Sequence, residues 1–186
     1  DEKLRFHIVS FPLSGRKDRK IFCIFAFLFA RIKSGKLKND INDMKIRFLS
    51  LSSGSSGNCY YLGTDTYGIL IDAGIGVRTI KKFLKEYNLA LERVRAVFVT
   101  HDHADHIKAV GTLGEKYGIP IYATPEVHVG INKNYCMTEK LTSASIRYIY
   151  KEEPIQLEDF KITAFEVPHD GTDNVGYCVE VGGRVF

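Results

Sequence analysis

The sequence predicts a mixed α/β domain over residues 44–186, and three observations carry that prediction. Ala96-Val97-Phe98-Val99 is an unbroken apolar run, as expected of a strand buried on both faces. Directly after it comes a cluster of histidines and carboxylates, His101 to His106, followed by an apolar stripe at helical spacing. The last third alternates apolar and polar residues with a period of two, the mark of half-buried strands.

Composition bounds the reading without deciding it. A chain of 186 residues that is 45% hydrophobic and 26% charged has the make-up of a globular protein with one sizeable core, which excludes disordered and collagen-like classes. Cys23, Cys59, Cys136 and Cys178 are widely spaced and form no C-x-x-C pair, so neither a disulfide framework nor a cysteine zinc site is expected, and a reducing compartment fits. The net charge of +4 is unevenly placed: residues 1–43 hold ten Lys/Arg against five Asp/Glu, and the remainder is nearly neutral. Overall basicity therefore does not mark the cluster-bearing part as a nucleic-acid binder.

Residues 1–43 differ from the rest. They carry six of the 12 Phe and a basic stretch, Arg16 to Lys20, before the apolar segment Ile21 to Ala30. That segment is far shorter than the roughly 18 to 20 residues that span a bilayer. It also lacks a small-x-small cleavage site, since Arg31 and Ile32 follow Ala30. The expectation is an N-terminal extension outside the fold, with the domain starting at Met44 and no membrane association.

From Met44 the elements follow in order. Ile46 to Leu49 and Cys59 to Leu62 read as strands flanking the Ser/Gly-rich stretch Ser52 to Asn58. Such a stretch can also be a flexible linker. Gly68 to Ile71 is a buried strand ending in Asp72-Ala73-Gly74, a turn signal. Ile80, Phe83, Leu84 and Tyr87 recur at helical spacing, with Lys81, Lys82 and Lys85 on the opposite face. Arg95 to Thr100 is the strand before the cluster. Ile107, Val110, Leu113 and Tyr117 then form one helical stripe, with Asp105 placed to cap it. Ile121 to Ala123 is a short strand, and Pro125 opens a helix containing His128, which reads as a packing residue rather than a ligand. Strands follow around Ile146 to Tyr150, Phe160 to Ala164 and Val175 to Val181, with a turn at Val167 to Gly171 presenting His169, and a hairpin opening at Gly182.

The cluster points to metal chemistry. Imidazole nitrogen and carboxylate oxygen suit zinc and related ions. Along an extended segment, positions i and i+2 point the same way, so His101 and His103 can grip one ion while Asp105 and His106 turn toward a second. Two such ions about 3.5 to 4 Å apart support hydrolytic displacement. An adventitious histidine run would bear no relation to fold punctuation, whereas these residues follow a buried strand and precede a helix.

Thr100 to His106, an H-x-H-x-D-H motif, resembles the signature of the metallo-β-lactamase superfamily, with Ile71-Asp72-Ala73-Gly74 and Pro168-His169-Asp170 resembling its first and third motifs. Phe48 to Asn58, with its Ser/Gly run, resembles the YycJ/VicX (WalJ) branch of exonuclease-like proteins. The resemblance covers Met44 to Phe186. It implies an αββα sandwich with two divalent metal ions, zinc or alternatively manganese, at one edge. It further implies that His101, His103 and His169 ligate the first ion, that Asp105 and His106 ligate the second, and that Asp72 orients the site. Asp105 could also handle a proton in catalysis.

The resemblance also implies a cytoplasmic phosphodiesterase or nuclease acting on DNA. Thioester or lactone hydrolysis on the same site is the enzymatic alternative, and a metal-binding module without turnover is the alternative of another class. The family pattern continues with a bridging Asp and a final His that have no match before Phe186. The sandwich is accordingly expected to be incomplete at the C-terminus, and the piece alone inactive.

Overall fold

The computed structural model describes residues 44–168 and 173–186. The N-terminal extension expected over residues 1–43, and His169, lie outside the described residues. Six strands form one sheet in sequence order: β1 (Arg47–Ser52), β2 (Cys59–Gly63), β3 (Gly68–Ile71), β4 (Val94–Phe98), β5 (Ile121–Ala123) and β6 (Ile146–Tyr148). The first three pair antiparallel across short connections, and β3 to β6 pair parallel because each crossover is long enough to carry structure back over the sheet. A second, antiparallel sheet contains β7 (Ile155–Leu157), β8 (Phe160–Glu166), β9 (Val175–Val181) and β10 (Arg184–Val185) in the order β10-β9-β8-β7.

Strand periodicity sorts the core into two layers. On one face of the first sheet, Tyr61, Leu70, Val97 and Val99 pack against Ile80 and Leu84 of α1 (Val77–Glu86), Val110 and Leu113 of α3 (Val110–Tyr117), and Val127 and Ile131 of α4 (Pro125–Lys133). On the other face, Leu62, Ile69, Ala96 and Phe98 meet Phe160, Ile162, Ala164, Tyr177 and Val179 of the second sheet. Phe98 lies between Tyr122, stacked at 4.8 Å, and Tyr177, edge-on at 5.3 Å. Burying one such ring contributes about 1.5 to 3 kcal/mol. The described residues thus supply helix, sheet and sheet layers, three of the four expected of the sandwich; the fourth layer is not among them.

The residues at element ends explain the boundaries. Thr124 caps α4 by accepting from Val127 N, with Pro125 in the first turn, and Gly118 closes α3 at φ 65° in the left-handed region. His128 is buried and bonded through Nε2 to the Arg147 carbonyl at 3.0 Å, the packing role expected of it. Cys59, Cys136 and Cys178 are free thiols. The Ser/Gly stretch is an ordered connection rather than a linker, since Gly57 N donates to Gly54 O and Ser52 Oγ to Gly57 O at 3.0 and 2.7 Å.

Two expectations fail here. The stripe after the cluster is not one helix but α2 (Ala104–Ile107) and α3, and His103, not Asp105, occupies the N-cap, without a side-chain cap. Asp105 instead lies inside the first turn, where the helix dipole still favours a carboxylate. The break has a tertiary cause: the Asp105 and His106 carbonyls accept from Asn58 N and Ala73 N at 2.7 and 2.8 Å, and Ala109 N donates to Ala73 O. These bonds take the groups that a continuous helix would pair internally. Sequence reading also missed β7, whose Ile155 and Leu157 alternate correctly but whose hairpin turns through Glu158 at φ 51° rather than through Asn or Gly.

Candidate metal centre

The site collects at the carboxyl ends of β3 and β4, where open sheets place their crevices. Asp72 directly follows β3, is 2% exposed and stands at φ 58°, a conformation Asp tolerates better than most residues. Its N–H continues the ladder to Phe98 O at 2.8 Å, which fixes the carboxylate beneath the cluster. Oδ1 accepts from Thr100 N at 2.8 Å, and Oδ2 accepts from Thr100 Oγ1 at 2.9 Å and from His106 Nδ1 at 2.7 Å.

These contacts determine the tautomers. His106 Nδ1 faces an ionised carboxylate and so carries the proton, leaving a lone pair on Nε2. The Thr100 hydroxyl gives its single proton to Asp72, so at 2.9 Å from His101 Nδ1 it accepts, and His101 likewise has its lone pair on Nε2. Asp72 thus sets both rings, His106 directly and His101 through Thr100. The His101 ring centroid lies 4.0 Å from that of His106 and 4.6 Å from that of His103. Burial pulls the His106 pKa down, but the hydrogen bond and charge of Asp72, with the charge of Asp105, outweigh it and leave the pKa above the ordinary value.

Asn58 enters the same group. Its Nδ2 is 3.1 Å from Asp105 Oδ2 and 3.0 Å from His106 Nε2, and Asp105 Oδ2 is 3.6 Å from His106 Nε2. Among the described residues, no three His, Cys, Asp or Glu side chains are arranged to hold a metal ion as they stand, because these groups bond to one another. The donor set nevertheless fits divalent metal: imidazoles fixed with Nε2 as the lone-pair nitrogen by a buried carboxylate are the usual outer support of such a centre. The nearby Cys59 thiol is no nucleophile, since burial, aided by the charge of Asp72, raises its pKa far above the ordinary range.

The second sheet braces this edge. Tyr177 Oη donates to Val99 O at 2.7 Å, and Val175 N donates to Thr100 O at 3.0 Å. Of the residues singled out from sequence, Asp72, His101, His103, Asp105 and His106 are brought together, and His128 lies elsewhere. Thr100 as the hub and Asn58 as a contact were missed. The only signal was position: one precedes the cluster and the other ends the Ser/Gly run.

The fold defines a class that sequence comparison shows independently. Residues 67–186 match the Beta-lactamase superfamily domain, and the chain belongs to that superfamily. It is 31% identical to "Exodeoxyribonuclease YycJ" of Bacillus anthracis over 145 residues, covering 76% of this chain and 52% of that protein. It is 33% identical to "Exodeoxyribonuclease WalJ" of Streptococcus pneumoniae over 130 residues, covering 70% and 48%. The chain thus spans about half the length of the curated relatives it matches. Among solved structures, a subclass B3 metallo-β-lactamase of Bradyrhizobium japonicum superposes with a TM-score of 0.60 at 16% identity, covering 76% of this chain and 57% of that one. That likeness shows the fold.

Proposed function

We propose that the chain carries the metal site of a nucleic-acid phosphodiesterase, an exodeoxyribonuclease-type enzyme that acts on DNA in the cytoplasm with two divalent ions, zinc or manganese. The observation that carries this reading is the convergence of His101, His103, Asp105 and His106 over a buried Asp72 that fixes two of the rings. Similarity to exodeoxyribonucleases YycJ and WalJ supports DNA as the substrate class. Residues 44–186 are the part assigned to the fold. Among the described residues, no helix is long and apolar enough to cross a membrane.

His101, His103 and His169 would hold one ion, and Asp105 and His106 the other. When bound, such ions supply Lewis-acid polarisation of a phosphoryl oxygen and a nucleophile at neutral pH. The chain's own residues do the rest. Asp72 holds the proton on His106 Nδ1 and, through Thr100, on His101 Nδ1, so both rings keep Nε2 directed to ligation. Asp105, with a third of its side chain exposed, is placed to exchange a proton with substrate or solvent.

The test is digestion of single- and double-stranded DNA by the whole protein with Zn²⁺ or Mn²⁺, run beside a thioester substrate. DNA cleavage that is lost in His103→Ala, with the far-ultraviolet circular dichroism unchanged, is expected. Intact DNA under both metals alongside thioester turnover would refute the nuclease reading in favour of the alternative hydrolase.

A further inference from the structure

The Asn58 carboxamide is oversubscribed. Its orientation is fixed by its partners: Gly54 N donates to Oδ1 at 3.1 Å, so Nδ2 must face the remaining contacts. Nδ2 carries two protons but has three acceptors, Gly54 O at 3.1 Å, Asp105 Oδ2 at 3.1 Å and His106 Nε2 at 3.0 Å. Two of these are a carboxylate oxygen and an imidazole lone pair, both good metal donors. Their separation of 3.6 Å leaves room for one cation between them, in the space where the Asn58 amide group now bonds to both.

We infer that Asn58 is a stand-in for the second metal ion: its amide N–H groups satisfy the Asp105 oxygen and the His106 lone pair, and they must leave when an ion is bound there. This rests on the ligand roles proposed above and goes beyond them. The backbone of Asn58 stays anchored in either state, because Asn58 N donates to Asp105 O at 2.7 Å and Gly74 N donates to Asn58 O at 2.8 Å. Only the side chain swings. In doing so it surrenders both bonds to Gly54, so the Gly54 amide loses its acceptor when the second ion arrives, while Gly57 N to Gly54 O still closes the exposed turn. The protection of the Gly54 amide thereby depends on metal occupancy.

The 186-residue chain is titrated with ZnCl₂ by calorimetry, as wild type, as Asn58→Ala and as Asn58→Leu, and backbone hydrogen exchange is followed by mass spectrometry. Removing the stand-in is expected to tighten the weaker zinc equivalent by at least about tenfold, since even one of the bonds no longer surrendered is worth about that factor. In the wild type, zinc saturation is expected to raise exchange at the Gly54 amide, which requires no variant to fold. Zinc binding that is unchanged or weaker in both variants, or Gly54 protection that is unmoved at saturation, overturns the inference while leaving the metal site in place. No zinc binding to any of the three proteins overturns the metal site and the inference together.

Discussion

Gly74 is the point where three segments of backbone cross, and its replacement by alanine tests whether the site is held by that crossing. A Cβ at Gly74 would overlap the Asp105 carbonyl outright and stand 2.8 Å from Asn58 N, against about 3.5 to 4.0 Å for ordinary contact. Neither neighbour is a side chain that can turn aside. Relief requires both α2 and the Asn58 segment to move away from Gly74, which breaks Asn58 N to Asp105 O, Gly74 N to Asn58 O and Ala73 N to His106 O, at 2.7, 2.8 and 2.8 Å. With about 0.5 to 1.5 kcal/mol for each bond and about 1 to 3 for overpacking, the loss is about 2.5 to 7.5 kcal/mol. At a urea dependence of about 2 kcal/mol per molar, the lower figure moves the unfolding midpoint down by about 1.2 M. Gly76→Ala is the control. Its φ is −63° and a Cβ there meets nothing within 4 Å, so lost N-cap preference and reduced chain entropy leave a net change under about 1 kcal/mol. A Gly74→Ala chain with the same urea midpoint as Gly76→Ala would show that the three segments do not depend on this close approach.

Three further outcomes follow from the same geometry. Asp72→Asn is expected to weaken zinc binding about 10- to 100-fold in calorimetric titration, because the carboxylate that fixes the His106 and His101 tautomers is lost. Tyr177→Phe leaves the buried Val99 carbonyl without its 2.7 Å partner and should cost about 1 to 3 kcal/mol in denaturant unfolding; an unchanged midpoint would mean the bond contributes nothing. Burial lowers the pKa of His128 against the smaller raising effect of its backbone bonds, so the unfolded chain takes up the proton first as pH falls. The contribution of His128 to stability is therefore complete above pH 6.5 and is lost as pH falls below it toward the folded value. The stability difference between wild type and His128→Gln should shift in that direction, and a difference independent of pH would refute the assignment.

Much of this was legible in the chain because short-range patterns coincided with long-range ones. Val97 and Val99 on one face and Ala96 and Phe98 on the other are a four-residue apolar run whose two-sided burial follows from periodicity alone. The cluster His101 to His106 announced its chemistry through residue types and spacing. Asp105 was misplaced as a cap because capping propensity is local, whereas the end of α2 is set by carbonyls given to Asn58 and Ala73 far away in sequence. Thr100 and Asn58 were illegible for the same reason. A threonine and an asparagine carry no metal signature, and their roles exist only once Asp72, Asp105 and His106 have been brought against them.

The contacts that build the centre join residues far apart along the chain. Thr100 and Asp72 are 28 residues apart, His106 and Asp72 are 34 apart, and Asn58 reaches across 47 and 48 residues to Asp105 and His106. Closing such loops is slow relative to forming helices and hairpins, so the constellation is expected to assemble after the local elements. The folding chain then offers no preformed pocket in which metal could trap a partly built sheet. An ion that recognises only the finished arrangement should leave the folding rate nearly unchanged and slow the unfolding rate, extending the lifetime of the native state.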